Sequence, residues 1–151
     1  MKKSRLLGAL SGCACLIGLS SPAHAINWLC DSGGSWNDTN CWLGGSVPTS
    51  SNPAYFNKLA TQFSPYTVTH ISNSSSSELQ SGTDAVNYDF GSFEHTTTTA
   101  VFGISSGDVA FSQLLGGTLN STNGYLGLNA GATGTATIDG VSSVWNSSNL
   151  L

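Results

Sequence analysis

Beyond residue 25, the groups with the chemistry for catalysis, metal binding or cross-linking are few: Cys30, Cys41, His70, His95, Lys58 and eight acids. The cysteines are separated by ten residues. In an oxidising compartment such a pair closes a small loop, and the chain-entropy model gives it roughly 3 kcal/mol. Two thiols are too few to hold a metal ion, and His70 and His95 stand at no ligand spacing from them. No metal and no cofactor is expected. A hydrolase needs two carboxylates a few ångströms apart, which Asp84 with Asp89, or Glu94 with Asp108, could supply; turn or surface roles suit acids spread singly along a chain better. A polysaccharide lyase needs a strong base and acids clustered for calcium, and Lys58 is the sole candidate base. His70 and His95 lack a Gly-x-Ser-x-Gly elbow to serve and are expected at surface or strand positions. Thr133, Thr135 and Thr137 put three hydroxyls on one strand face, but a single strand is no ice-binding array. The expectation is a protein that is not an enzyme.

The elements that position these groups follow an N-terminal segment built for export. Lys2, Lys3 and Arg5 form its positive start, Leu6 to Leu19 its apolar stretch, Ser20-Ser21-Pro22 its helix stop and Ala23-His24-Ala25 its small-residue cleavage site. Residues 1–25 therefore read as a signal peptide cleaved after Ala25. A membrane anchor needs about 20 consecutive apolar residues, more than this run offers. Leu10-Ser11-Gly12-Cys13 matches a lipobox, yet the apolar run continues past Cys13 instead of ending there. Removing the segment discards Cys13, Cys15 and three of the four basic residues. One lysine against eight acids then leaves a formal charge of −7. Binding to nucleic acid requires several Lys or Arg contacts to phosphate, and this surface excludes it. With 39% hydrophobic residues the chain has the apolar content to fold.

Residues 26–57 carry three of the four tryptophans, the cysteine pair and dense turn chemistry (Gly33-Gly34, Gly44-Gly45, Val47-Pro48, Asn52-Pro53). They read as short strands between tight turns. In residues 58–99, Tyr66 to Ile71 alternates as a strand does, Asn73 to Ser77 reads as a polar loop, and Asn87 to Phe93 offers one more strand. From Ala100 to Leu151 the chain repeats: Phe102-Gly103 and Leu126-Gly127 are 24 residues apart, each followed by a Gly-rich turn and an alternating strand. The same spacing places Leu150 as the next equivalent of Leu126. One such unit has the length of a β-helix coil, which cannot bury its own apolar side and must stack on others. The expected fold is all-β, a parallel β-helix beginning with an N-terminal cap segment (26–57), passing through an irregular β-rich stretch (58–99) and entering its repeats at residue 100. Within the cap, Trp28, Trp36 and Trp42 could present a sugar-stacking platform or cover the apolar end of the first coil; the cysteine pair among them favours the cover.

These residues resemble a known group. Tyr125-Leu126-Gly127-Leu128-Asn129-Ala130-Gly131 through Gly134-Thr135-Ala136-Thr137-Ile138-Asp139-Gly140 is similar to the repeats of autotransporter passenger domains, and Ser143-Val144-Trp145-Asn146 resembles the step into their next coil. Gly34-Ser35-Trp36-Asn37-Asp38, Cys41-Trp42 and Val47-Pro48 resemble the start of such passengers. The two blocks cover about half of the chain beyond residue 25. The resemblance implies a right-handed β-helix exported through a bacterial outer membrane and displayed at the surface or released. It also implies contact with host or matrix glycans or proteins, and a C-terminal β-barrel as the only membrane element. Alternating strands for that barrel are not found in the sequence, so the expectation is the N-terminal part of a longer passenger, truncated within a coil. The competing expectation is a secreted carbohydrate-binding or carbohydrate-active β-helix.

Overall fold

A computed structural model describes residues 24–58 and 64–151 of the chain. The segment read as a signal peptide, with the lipobox match Leu10 to Cys13, lies outside the described residues as far as residue 23. The rest is a parallel β-solenoid of about five turns. Its strands are β1 (Ile26–Asn27), β2 (Gly34–Ser35), β3 (Ala54–Phe56), β4 (Tyr66–Thr69), β5 (Ser74–Ser81), β6 (Ala85–Phe102), β7 (Val109–Leu126), β8 (Thr133–Asp139) and β9 (Val144–Leu150).

All ladders between these strands are parallel, and they fall into two columns. One runs through Gly34, Val68, Tyr88, Leu114 and Ile138. The other runs through Ile26, Ala54, Leu79, Ala100, Gly124 and Leu150. The long strands β6 and β7 each serve both columns by bending once, β6 near Gly91 where the register shifts and β7 opposite it at Gly116-Gly117. Alternation decides what enters the core. Val86, Tyr88 and Phe90 point inward from β6, and Ala110 and Leu114 from β7, while Asn87 and Gln113 between them remain partly exposed.

The repeat expected from the sequence is present where it was read, with Phe102 beside Leu126 and Leu114 beside Ile138. The apolar-Gly pairs end their strands because Gly103 and Gly127 take positive φ, +80° and +83°. A Cβ at Gly103 would also sit 2.5 Å from the Thr133 carbonyl oxygen of the next coil, and one at Gly127 2.7 Å from the Ala132 carbonyl oxygen of its own turn. Two expectations are corrected. Leu150 pairs with Gly124, and the backbone N–H of Leu126 donates to the carbonyl of Leu151. The turn between Asp139 and Val144 is two residues longer than its counterpart between Leu115 and Thr118, which displaces the register. The polar patch at Asn73 to Ser77 is not a loop: Ser74, Ser75 and Ser76 pair with His95, Thr96 and Thr97. Serine and threonine satisfy the strand backbone here while their hydroxyls meet one another inside the coil.

Residues 26–57 contribute strands to the same ladders. Cys30 and Cys41 form a disulfide with their Cα atoms 5.0 Å apart, stapling a loop that contains one 3-10 turn at Thr39–Cys41. Trp28, Trp36 and Trp42 are only 2%, 1% and 1% exposed. They pack edge-on, with Trp28–Trp42 and Trp36–Trp42 ring centroids 4.9 and 4.8 Å apart, and all three lie against Phe56. Burial of these indoles removes the faces a sugar would stack on, so the platform reading of Trp28, Trp36 and Trp42 does not hold; they are the first layer of the core. Reducing Cys30–Cys41 frees the loop that carries Trp36. It is expected to lower stability by roughly 3 kcal/mol, read as a fall in the urea midpoint of the reduced against the oxidised protein; equal midpoints would show that aromatic packing alone fixes the loop.

Candidate functional site

Of the surface or strand positions expected for the histidines, His95 takes a strand position in β6 and His70 directly follows β4, but neither is at the surface. His70 and His95 are buried, 2% and 0% exposed, and form the polar centre of the first coils. Trp36 stacks on His70 with centroids 4.9 Å apart and meets His95 edge-on at 4.7 Å; Phe90 lies 4.7 Å from His70. Ser74 Oγ bridges the two rings, 2.7 Å from His70 Nδ1 and 2.8 Å from His95 Nδ1. Ser76 Oγ is 3.0 Å from His95 Nε2 and donates to Thr97 Oγ1, which donates in turn to the Thr99 carbonyl. One proton order uses every donor: His70 Nδ1–H to Ser74, Ser74 O–H to His95 Nδ1, His95 Nε2–H to Ser76, and onward to Thr99. It leaves a bare lone pair on His70 Nε2, which has no partner among the described residues. The reverse order would strand a buried N–H, the costlier defect. Both rings are therefore neutral. Burial lowers both proton affinities, that of His95 to about 3, and the neighbouring His95 adds to the effect on His70. A serine within 2.8 Å of an imidazole has the spacing of a nucleophile–base pair, but here both rings are buried against Trp36 and Phe90 and the half-buried serine is spent bridging them. The arrangement is a core network.

The acids also have structural work. Asp84, fully buried, accepts the Lys58 backbone N–H on both oxygens (3.0 and 2.9 Å) and the Tyr66 hydroxyl at 2.7 Å. Burial, then this hydrogen bond, raises the Tyr66 proton affinity, so the phenol stays a donor. Asp89 accepts from Gly91 N–H, Asp108 from Ile104 and Ser105 N–H, and Asp38 from Asn40 N–H. Lys58 pairs with the exposed Asp31 at 2.5 Å. Asp84 is thus spent in the core while Asp89 and Asp108 serve backbone N–H groups, and among the described residues no group of three or more His, Cys, Asp or Glu is placed to hold a metal. Asp84→Asn would turn an amide donor toward two donors. It is expected to cost roughly 2 to 3 kcal/mol, seen as an early denaturation midpoint, whereas Asp89→Asn at an exposed turn should change little.

The outward side of the first column is different in character. Ala85, Phe111 and Thr135 stand in register on successive coils, and next to them Asn87, Gln113 and Thr137. Alanine and threonine are both smaller than phenylalanine, so the Phe111 ring stands clear of its neighbours and is 43% exposed. These rows, with Pro65, border an open groove of about 290 Å³. Comparison of the chain with protein-family models, with curated proteins and with solved structures finds no match. What the chain can do is therefore read from this geometry. Thr135 and Thr137, taken from sequence as two of three hydroxyls in a row, have Phe111 and Gln113 beside them and not further threonines, so they border a mixed groove. Phe111 itself was missed because Val109-Ala110-Phe111 is an unbroken apolar run, in which nothing marks the phenylalanine as the residue that faces out.

Proposed function

We propose that this chain is an exported, non-enzymatic contact scaffold of bacterial origin, the N-terminal part of an autotransporter-like passenger acting at or beyond the cell surface. The observation that carries this reading is the use of reactive side chains. Histidines, the cysteine pair and most of the acids serve the core, the staple and the turns, while the lateral side offers uncharged amides, hydroxyls and one free aromatic ring. A rigid stack of parallel coils with such a side suits contact with other surfaces. The sequence motifs at Gly34 to Pro48 and Tyr125 to Gly140 support the passenger reading, and the N-terminal segment supports export with Ile26 as the first mature residue.

The test is to express the gene in a Gram-negative host, sequence the N-terminus of the exported product and probe intact cells with protease. Beads carrying the purified protein are then applied to wells coated with extracellular-matrix proteins and with polysaccharides. Cleavage after Ala25, protease-accessible protein and bead retention are expected. Retention of the protein in the cytoplasm, or release of reducing ends from the polysaccharides, would overturn the proposal. The carbohydrate alternative is favoured by one observation, the groove at Phe111.

A further inference from the structure

The geometry points to the Phe111 groove as a binding site for a neutral glycan. This rests on the contact-scaffold reading and names the chemistry of its partner. Three features carry it. An aromatic ring 43% exposed is held upright by β7, whose backbone is paired on both sides with β6 and β8. A ring left this exposed has an electron-rich face to offer, which suits the C–H face of a pyranose. Around it stand the amides of Asn87 and Gln113 and the hydroxyls of Thr135 and Thr137, which both donate and accept and so match sugar hydroxyls.

The third feature is charge. None of the residues bordering the groove is ionised, and one of them, Gln113, is in contact with a carboxylate: Asp139 Oδ2 accepts from Gln113 Nε2 at 3.1 Å. Lys58, the only Lys or Arg beyond residue 25, is paired with Asp31. A sulfated or uronic-acid glycan would meet a carboxylate and no cation, so the groove selects uncharged chains. At about 290 Å³ it lies at the small end of ligand sites, roughly 300–1,000 Å³. It is open along its length, as contact with a few sugars of a longer chain requires.

The experiment is affinity electrophoresis of the full chain in gels containing a neutral β-glucan or a neutral galactomannan, with hyaluronan and heparin gels as the acidic comparison. Retardation is expected in at least one neutral gel and in neither acidic one. Phe111→Ala should weaken that retardation at least tenfold, Phe111→Trp should keep it, and Gln113→Ala should weaken it without touching the ring. Because Phe111 is outside the core, all three variants should keep the parent's circular dichroism and melting temperature. A melting temperature lowered in Phe111→Ala would mean that the ring packs against the protein and would overturn the site, as would binding to acidic glycans alone or unchanged retardation of Phe111→Ala. If the beads still adhere to matrix proteins while every neutral gel fails, the groove is wrong and the scaffold stands; if neither occurs, both fall.

Discussion

Acidification from pH 7 to pH 4 is expected to remove about 3 kcal/mol of stability through His95 alone, with His70 adding in the same direction. The sign follows from where the proton goes. In the unfolded chain an imidazole takes up a proton near 6.5; in the folded chain burial holds His95 neutral down to about 3. Between those values the unfolded state binds more protons, so stability is complete above 6.5 and declines as pH falls toward 3. Each pH unit in that window is worth about 1.4 kcal/mol. Urea midpoints measured between pH 6.5 and 5, where ordinary carboxylates stay ionised, isolate the histidines. The double variant His70→Asn/His95→Asn should flatten the profile there even if it is less stable throughout. A parent protein with the same midpoint at pH 6.5 and 5 would mean that the rings are wet or already charged.

Trp36→Ala is expected to cost about 4 kcal/mol, in the range found for buried Trp and Phe truncations. The indole touches Trp42, Phe56, His70 and His95 together, rings that do not readily collapse into the volume it leaves. A second effect separates this residue from an ordinary core aromatic. Trp36 covers the histidine–serine chain, so its removal admits water beside both rings. The acid profile should then move toward pH 6.5 and become shallower. Loss of stability with an unaltered pH profile would show that Trp36 packs the core without shielding the network. Trp42→Ala, which lacks the direct stacking on His70, is the control for aromatic volume.

The parts of the structure that the sequence disclosed are those governed by local chemistry. Glycine after Phe102 and Leu126 marks a turn because only a residue without Cβ fits there, and the 24-residue spacing between the pairs is one coil. The disulfide could be read from two cysteines with ten residues between them in turn-rich sequence. The hidden parts depend on what lies one coil away. Ser74 to Ser77 looks like a loop by composition and becomes strand because His95 and Thr97 wait in the adjoining coil to take the hydroxyls. His70 and His95 are 25 positions apart in sequence and become neighbours only after β5 has turned between them. The groove was illegible for the same reason. Phe111 is conspicuous only beside Ala85 and Thr135, and that adjacency belongs to the ladder register. The register in turn varies, as the two extra residues before Val144 show.

The two ends of the described coils differ, and the difference gives the molecule a direction. Three indoles, a disulfide and the histidine network fill the first coils, whereas Ile138, Val144 and Leu150 in β8 and β9 are 49%, 41% and 57% exposed. In a stack where each coil touches only its neighbours, the costly step is making the first one, and each completed coil is the mould for the next. Order should therefore spread from the aromatic end. Hydrogen exchange would record this as strongest protection at Val68 and Tyr88, beside the aromatic layer. A lesion in one coil would halt growth beyond it while leaving the coils already laid down intact.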